Sequence, residues 1–184
     1  MEYAESMILE TERLYLRPFQ EKDAPFLFDL NSDEEVMRYT GDHAFENLEA
    51  ARTFAVDYVT NTQGQCVLYD MGRKAVIRKE DDVFLGWSGL KKHQEEGFVD
   101  IGYRFLKKYW GKGYATESGL EVLRHAFQDH GLNKIAAHVH ELNYGSQVVA
   151  KKLGMQLEYR FLWDRREAAR HYEITRKTYL NNSN

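Results

Sequence analysis

Hydrophobic and polar positions change their spacing sharply in the middle of the chain. Val99, Ile101, Tyr103 and Phe105 alternate with polar or small residues, which is the spacing of a β-strand. Ten residues further on, apolar residues begin to recur every three or four positions, as they do on one face of a helix. The chain is therefore predicted to run from a strand through a short loop into a helix.

The same two spacings predict the remaining elements. Strands are predicted over residues 7–18, 74–79, 83–90, 99–105, 134–140, 155–163 and 172–180. Helices are predicted to begin at residues that can cap them, which are Asp23, the segment 32–35, Asn47 and Asn143. Segments 39–45 and 61–65 contain glycine and polar residues and are predicted to be loops. The predicted order is a strand, helices, three strands, a helix, a strand, a helix and two strands.

The loop between the central strand and its helix combines two glycines with three lysines. Gly111 and Gly113 permit sharp turns and a close approach of the backbone to a ligand. The first N–H groups of the following helix have no partner within it and carry the positive end of its dipole. Lys107, Lys108 and Lys112 add positive charge nearby. The loop is therefore predicted to bind an anion, best a phosphate group.

Two common phosphate-binding motifs do not fit this loop. A nucleotide P-loop needs a glycine and a lysine followed by serine or threonine, and the chain contains no such sequence. A dinucleotide-binding loop needs a third glycine, but Thr116 stands at that position. A nucleotide-binding enzyme of doubly wound fold is disfavoured for this reason, and because the predicted strands cluster in mid-chain.

Length and composition indicate a globular protein. The 184 residues suit a single domain over 1–184, and 43% of them are hydrophobic. A net charge of -4 argues against a nucleic-acid partner. No apolar run is long enough for a membrane helix, and the amino end lacks the regions of a signal peptide. We therefore expect a cytoplasmic protein with no membrane partner.

The remaining candidate chemistry is sparse. Cys66 is the only cysteine, so an internal disulfide is excluded. His138 and His140 share one face of a predicted strand, as two metal ligands would. No third ligand stands at a supporting spacing, and no metal site is predicted.

Three stretches resemble the GNAT acetyltransferases. The sequence W-G-K-G-Y-A resembles the pyrophosphate loop of that superfamily, Q/R-x-x-G-x-G/A, where Gly113 and Ala115 match and Trp110 departs at the first position. Tryptophan there is similar to the branch that contains the ribosomal-protein-alanine N-acetyltransferases. T-E-R-L-x-L-R-P at 11–18 and G-x-x-G-L at 86–90 also resemble family motifs. The motifs occur in family order, so the resemblance spans essentially the whole chain.

This resemblance implies both a fold and an activity. The fold is an α/β GNAT fold, whose mixed, mostly antiparallel twisted sheet of about seven strands is flanked by helices and splayed between the fourth and fifth strands. The activity is transfer of an acetyl group from acetyl-CoA directly to a primary amine, either a protein N-terminal α-amine or a small-molecule amine. A homodimer is possible in this family. The alternative is a non-catalytic acyl-CoA-binding sensor or scaffold of the same fold.

The resemblance also implies the contacts of coenzyme A. The pantetheine arm should pair with the central strand, where a backbone N–H near Ile101–Tyr103 would polarise the thioester carbonyl. The expected coenzyme A contacts are Ile101, Gly102, Tyr103, Lys108, Trp110, Gly111, Lys112, Gly113, Tyr114, Ala115, Asn143 and Ser146.

Asp100 is the candidate catalytic base. It stands where many family members carry a strand glutamate, and its shorter side chain favours action through a water molecule. At pH 7, deprotonating an α-amine costs about 1 kcal/mol, whereas deprotonating a lysine amine costs about 5 kcal/mol. The strength required of the base therefore depends on the acceptor. The competing interpretation is a structural carboxylate paired with a lysine or with Arg104.

Ser146 is the candidate acid for the departing thiolate. Many family members use a tyrosine seven residues after the asparagine that starts the helix, but here Ala150 occupies that position. In the ribosomal-protein branch, a serine at the position of Ser146 is proposed to act on the sulfur. The competing interpretation is a first-turn helix residue that bonds to Asn143.

In this family the helices near the amino end enclose the acceptor pocket. Four residues of the predicted loop between them are therefore candidate substrate contacts, namely Tyr39, Asp42, His43 and Phe45. Ordinary loop and core roles explain each of them equally well.

Overall fold

The computed structural model describes residues 8–163 and 167–182, and these residues pack around one eight-stranded sheet. The strands are β1 (Leu9–Glu10), β2 (Leu14–Arg17), β3 (Arg73–Arg78), β4 (Val83–His93), β5 (Phe98–Phe105), β6 (Lys134–His140), β7 (Gln156–Trp163) and β8 (Glu167–Thr175). They lie in the order β1-β2-β3-β4-β5-β6-β8-β7, and only β5 and β6 are parallel neighbours. The predicted mixed, mostly antiparallel sheet is therefore confirmed.

The sheet has eight strands because the predicted first strand is divided. A turn separates its two parts, closed by a 2.9 Å hydrogen bond from the Thr11 amide to the Leu14 carbonyl. The two parts then pair with each other in antiparallel fashion. Residue 7, where that strand was predicted to begin, lies outside the described residues, as do residues 1–6 of the amino end.

Seven helices surround the sheet in the described segments. They are α1 (Ala24–Ser32), α2 (Glu34–Met37), α3 (Leu48–Thr60), α4 (Gln65–Tyr69), α5 (Tyr114–Arg124), α6 (Tyr144–Lys152) and α7 (Arg176–Asn182). Asp33, Asn47 and Asn143 cap α2, α3 and α6 through their side chains, as predicted. A π-helical turn over His125–Asp129 continues α5 to the predicted end at His130.

Two predicted elements differ in the structure. Residues 172–180 were predicted to be one strand, but β8 ends at Thr175 and α7 follows. The Thr175 hydroxyl accepts a 3.2 Å hydrogen bond from the Thr178 amide, which favours a helix start there. The predicted loop at 61–65 leads into α4, a helix too short to show a helical period in the sequence.

Two hydrophobic cores lie on opposite faces of the sheet. The larger core packs α5 and α6 against the sheet and includes Val122, Leu123 and Phe127. The smaller core includes Phe19 and Leu27 and lies under α1 and α3. Adjacent residues of a strand therefore face different cores, which separates the side chains of β5 into two groups.

The amino-terminal motif anchors the start of α5. The Glu117 carboxylate accepts hydrogen bonds from the Thr11 hydroxyl at 2.5 Å, from the Arg13 amide at 2.9 Å and from Arg13 Nε at 2.6 Å. Further along the motif, Arg17 makes a buried two-point ion pair with Asp23 at 2.6 and 2.8 Å. Asp23 precedes α1 but makes no side-chain cap, because its carboxylate is committed to this pair and to the Gln20 amide.

The parallel neighbours β5 and β6 are in register at a single pair, Asp100 with Ala136. Beyond that pair the register ends, although both strands continue. If β1 and β2 are counted as one strand, β5 and β6 are the fourth and fifth strands, which were expected to splay. Side chains that follow Asp100 and Ala136 therefore border an opening in the sheet.

Candidate functional site

The loop before α5 has the backbone geometry of an anion site. Gly111 and Gly113 have φ angles of 73° and 85°, a left-handed conformation that side chains with a Cβ atom rarely adopt. The Trp110 indole donates a 2.7 Å hydrogen bond to the Phe105 carbonyl and closes the loop against the end of β5. Within the described residues, the N–H groups of residues 111–115 have no hydrogen-bond acceptor. These donors are free to bind an anion.

Positive side chains surround this loop. Four cations lie close to it in the structure, namely Arg13, Arg78, Lys108 and Lys112. The last three lie over the Tyr109 ring at 5.1 to 5.7 Å from its centre. Arg13 also donates a 3.2 Å hydrogen bond to the Lys112 carbonyl, which braces the loop from outside. The combination of free amides and nearby cations fits a diphosphate.

One face of β5 points toward α5 and α6. Ile101 is buried in the larger core, and Tyr103 packs against it. The Tyr103 hydroxyl is buried and makes no hydrogen bond of normal geometry in the described part of the chain, although Ser146 lies beside it. Burial raises the pKa of Tyr103 to about 12 and Ser146 offsets little of that rise, so the hydroxyl keeps its proton. The structure thus brings a second protonated hydroxyl to Ser146.

Ser146 is held at the first turn of α6. Its backbone amide donates a 3.1 Å hydrogen bond to the Asn143 side chain, so Asn143 acts as a helix cap. This bond uses the Ser146 backbone and leaves its hydroxyl available. Ala150, which replaces the tyrosine of related sequences, is buried in the larger core.

The opposite face of β5 carries Asp100, which is paired with Arg73 and lies close to His93. Arg73 Nη2 lies 3.1 and 3.2 Å from the two carboxylate oxygens, and His93 Nε2 lies 3.4 Å from Oδ1. Burial raises the pKa of Asp100, but Arg73 and His93 outweigh it and hold this pKa below its ordinary value. Asp100 is therefore an ionised carboxylate with reduced affinity for a proton.

Gly102 provides the space for that ion pair. A Cβ atom at this position would lie 2.8 to 2.9 Å from the Arg73 guanidinium, so a larger side chain would displace it. The resemblance had attributed Gly102 to close approach of the thioester. In the structure, one face of this glycine is occupied by Arg73 instead.

Two arginines lie over one indole ring beside Asp100. The Cζ atoms of Arg73 and Arg104 are each 5.3 Å from the centre of the Trp87 ring. Arg104 is buried, donates a 2.5 Å hydrogen bond to Asn31, and forms a short ion pair with Asp42. Burial is the main reason that the pKa of Arg104 is lowered. This side of the sheet consequently holds two arginine–carboxylate ion pairs, Arg73 with Asp100 and Arg104 with Asp42.

A chain of histidines crosses β6 and β8 on the same face of the sheet. His138 Nε2 lies 2.7 Å from His171 Nδ1, and His171 Nε2 lies 2.8 Å from Glu173 Oε1. Lys134 binds the same Glu173 oxygen at 2.8 Å. No group of three side chains suited to a metal occurs in residues 8–163 and 167–182. The pairing of His138 with His171 is therefore a hydrogen-bonded chain rather than a metal site.

The four candidate acceptor contacts have different surroundings. Tyr39 stacks on His140 with ring centres 4.8 Å apart, and Asp42 pairs with Arg104. His43 is exposed, and Phe45 packs on Phe54 at 5.3 Å between ring centres. Tyr39 and Asp42 thus contact residues of β6 and β5, whereas Phe45 belongs to the smaller core.

The sequence did not reveal several residues of this region. Arg73, His93, Trp87 and His171 were not predicted, although strand alternation places each on the face that Asp100 shares. The missing information was the register between strands distant in the chain, which local patterns do not specify.

Comparisons with known proteins identify the fold and the family. Residues 13–156 match the acetyltransferase (GNAT) domain. The uncharacterised N-acetyltransferase YnaD of Bacillus subtilis is 31% identical over 83% of this chain and 84% of its own length. A solved acetyltransferase (GNAT family) from Bacillus anthracis is 27% identical with a TM-score of 0.79, covering 92% of this chain and 99% of that one.

A further solved structure is similar in fold alone. The spermidine N-acetyltransferase of Vibrio cholerae, in complex with CoA and spermine, has a TM-score of 0.75 at 19% identity, over 93% of this chain and 100% of that one. Among the described residues, no helix is both long enough and apolar enough to span a membrane. On the domain match and the similarity to YnaD, the chain belongs to the GNAT family of N-acetyltransferases, enzymes that use acetyl-CoA as the acetyl donor.

Proposed function

We propose that this protein transfers an acetyl group from acetyl-CoA directly to a primary amine and holds the diphosphate of the donor on the loop before α5. The observation that carries the proposal is the set of free N–H groups at residues 111–115, presented by two left-handed glycines and surrounded by four cations. Lys108, Trp110, Tyr114 and Ala115 remain proposed contacts of the same ligand.

The predicted roles along the splayed strands remain part of the proposal. A backbone N–H near Ile101–Tyr103 would polarise the thioester carbonyl, and Asn143 would contact the pantetheine while it caps α6. Ser146 would protonate the departing thiolate. Asp100 would act through a water molecule because its side chain is short, and its ion pair with Arg73 makes it a weak base.

The acceptor that this site favours is an amine of low pKa. An α-amine has a pKa of about 8 and needs only a weak base, whereas a lysine amine has a pKa of about 10.4 and needs a strong one. We therefore propose a protein N-terminal α-amine or a small molecule with an α-amine as acceptor. A polyamine is the alternative, since a protein of the same fold binds spermine.

A second candidate function is a non-catalytic sensor or scaffold that binds acyl-CoA. The buried Ala150 at the position of the usual tyrosine acid favours it. The two functions differ in turnover and not in binding of coenzyme A.

The experiment is a screen of amines with acetyl-CoA, followed by detection of the free thiol of coenzyme A. The panel contains N-terminal peptides, amino acids, spermidine and an aminoglycoside. We expect thiol release with an α-amine, and coenzyme A but not NAD should bind in calorimetry. Binding without release in any reaction would favour the sensor, and absence of coenzyme A binding would refute both functions.

Asp100→Asn should bind coenzyme A normally and turn over slowly, and unchanged turnover would remove Asp100 from the mechanism.

A further inference from the structure

We propose that His138 is the catalytic base that takes the proton of the attacking amine, with His171 and Glu173 positioning it through a hydrogen-bonded chain. This inference rests on the proposed acetyl transfer and replaces the water-mediated role of Asp100 in it. It is carried by the geometry of β6 and β8 and by the position of His138 at the opening of the sheet.

The hydrogen-bonded chain fixes which nitrogen of each imidazole carries a proton. Glu173 is ionised: burial raises its pKa, but the hydrogen bonds from Lys134 and His171 outweigh this and lower it. A carboxylate only accepts hydrogen bonds, so His171 must donate from Nε2, 2.8 Å away. A His171 whose single proton is on Nε2 accepts at Nδ1, and His138 then donates to it from Nε2, 2.7 Å away. The lone pair of His138 is consequently on Nδ1, the atom that would take a proton.

This Nδ1 atom has no hydrogen-bond partner in the part of the chain that the structure describes. His138 is half-buried, so the atom is neither sealed in the core nor fully solvated. The hydrogen bond to His171 sets the tautomer of His138, and Nδ1 of His138 is an acceptor atom without a partner among the described residues. In a catalytic base, such a carboxylate-linked imidazole is held in the orientation that accepts a proton.

The position of His138 places it beside the expected thioester. His138 lies two residues beyond Ala136, the last residue of β6 in register with β5, where the two strands separate, and its ring centre lies 5.0 Å from that of Phe98 on β5. Asp100 is the residue of β5 paired with Ala136, and His138 lies two residues after Ala136. The side chains of Asp100 and His138 therefore lie on the same face of the sheet. The backbone around Gly102 is the segment proposed to hold the thioester carbonyl. His138 thus borders the place where the amine must attack.

The surroundings of His138 keep it neutral near pH 7. The aromatic rings of Phe98, Phe161 and Trp163 lie 4.7 to 6.3 Å from its ring centre. Burial is the main cause that lowers the pKa of His138, and His171 and His93 lower it further. Asp100 and Glu96 oppose that shift and raise the pKa in part.

The charged and titratable groups that act on His138 come from all the neighbouring elements. They are His171 on β8, Asp100 on β5, His93 on β4, and Glu96 in the turn between β4 and β5. Asp100 stabilises the imidazolium that would form without itself accepting the proton. A neutral imidazole linked through His171 to the ionised Glu173 is better suited to take a proton than a carboxylate held by Arg73.

The chemical step is balanced without any further reactant. The amine nitrogen forms a bond to the thioester carbonyl carbon, and the proton lost by that nitrogen goes to Nδ1 of His138. The carbon–sulfur bond then breaks, and its electron pair leaves with the thiolate, which takes one proton from water or from Ser146, and Ser146 regains its proton from solvent. The imidazolium returns its proton to solvent. Glu173 stabilises the positive charge through His171 in the meantime.

The test compares three variants in steady-state kinetics across pH, with calorimetry of coenzyme A. We expect His138→Gln to lower kcat/KM about 100-fold while coenzyme A affinity is unchanged. Glu173→Gln keeps a hydrogen-bond acceptor for His171 but removes the charge, so the acidic limb of the kcat/KM profile should move to lower pH. A purely structural Glu173 would not move that limb.

The chain offers a matched control in a second histidine pair. His125 and His130 are joined at 3.0 Å between their Nε2 atoms at the end of α5. His130→Gln removes one member of a similar pair away from the splayed strands, and its kinetics should match the wild type. If His138→Gln also matches the wild type, His138 is not the base.

Nitrogen NMR of the imidazoles tests the inference independently of turnover. The proton of neutral His138 is expected on Nε2, and a spectrum that places it on Nδ1 overturns the proposal. Failure of the proposed acetyl transfer has a different signature, which is a wild-type protein that releases no thiol with any amine, whether or not it binds coenzyme A. Retained coenzyme A binding in His138→Gln, with lost turnover and a normal fold by circular dichroism, supports the inference.

Discussion

At the scale of single residues, Arg73 determines much of the electrostatics on the face of the sheet that carries Asp100. It pairs with Asp100, donates a 2.6 Å hydrogen bond to the Gly89 carbonyl and lies over Trp87. Its guanidinium also fills the space left by Gly102. One side chain thus satisfies a buried carboxylate and keeps that carboxylate a weak base.

Replacing Arg73 with Gln should destabilise the protein in a pH-dependent way. Both side chains of the Arg73–Asp100 pair are 15% exposed, and removing one partner of such a pair costs about 3 kcal/mol at pH 7. Asp100 has a lowered pKa in the folded protein, so its stabilisation is present above the ordinary aspartate pKa of about 4 and is lost as pH falls below it. Urea unfolding should therefore show a large loss at pH 7 and a smaller one at pH 4.

The control for this prediction is Arg52→Gln. Arg52 is exposed and lies 3.7 to 3.8 Å from two exposed glutamates, an arrangement that contributes little stability. Its loss should be small and should vary little between the two pH values. An equal loss for both arginine variants would contradict the importance assigned to the Asp100 pair.

Tyr103→Phe should separate a chemical role of the buried hydroxyl from a structural one. Because that hydroxyl makes no hydrogen bond of normal geometry in the described residues, its removal should leave the free energy of unfolding unchanged or raise it slightly. If it helps Ser146 to protonate the thiolate, kcat should fall about tenfold at unchanged coenzyme A affinity. Tyr172→Phe removes another buried, unbonded hydroxyl and should leave kcat unchanged. Equal kcat values in both variants would exclude Tyr103 from proton transfer.

At the scale of elements, the strand, loop and helix around Gly111 were predictable and their surroundings were not. Alternation over β5 and the change of period at α5 are local signals, and the structure confirms both elements. The turn to α7 was missed because Thr175 continues the alternation of β8 while its side chain caps a helix. The partners of Asp100 were missed because they lie on strands whose register depends on distant segments.

The same distinction applies to the catalytic candidates. Two histidines on β6 are visible in the sequence, but only the pairing of β6 with β8 brings His171 to His138. The local pattern therefore offered two histidines without a third metal ligand, whereas the tertiary structure shows a hydrogen-bonded chain. Candidate chemistry that joins neighbouring strands is accessible from sequence only after their register is known.

Gly111→Ala should weaken coenzyme A binding about tenfold, because a left-handed conformation costs a residue with a Cβ atom about 1 kcal/mol and the loop would shift to relieve it. Gly131→Ala is the matched control, since Gly131 also has a positive φ angle and no atom within 4 Å of an added Cβ. Both variants should lose similar stability in urea unfolding. Only Gly111→Ala should lose affinity in calorimetry, and equal affinities would show that the loop does not bind the donor.

At the scale of the whole molecule, charge is distributed unevenly. The formal net charge is -4, yet four cations surround the loop before α5. A negatively charged donor would be repelled by the molecule as a whole and attracted locally. Local attraction between exposed groups is screened by salt over about 10 Å at 0.1 M. Binding of coenzyme A should therefore weaken as salt is added, whereas folding stability should change little.

Replacing Lys108 and Lys112 together with Gln tests whether the attraction is local. Exposed charge pairs contribute about 0.5 to 1 kcal/mol each, so the double variant should bind coenzyme A about five- to thirtyfold more weakly and with less dependence on salt. Lys151 and Lys152, exposed at the end of α6, provide the control, because changing either pair of lysines takes the net charge from -4 to -6. If affinity depends on net charge alone, both double variants will weaken equally. Loss confined to the Lys108 and Lys112 variant places the donor phosphates at the start of α5, since only charges within a screening length of the ligand contribute.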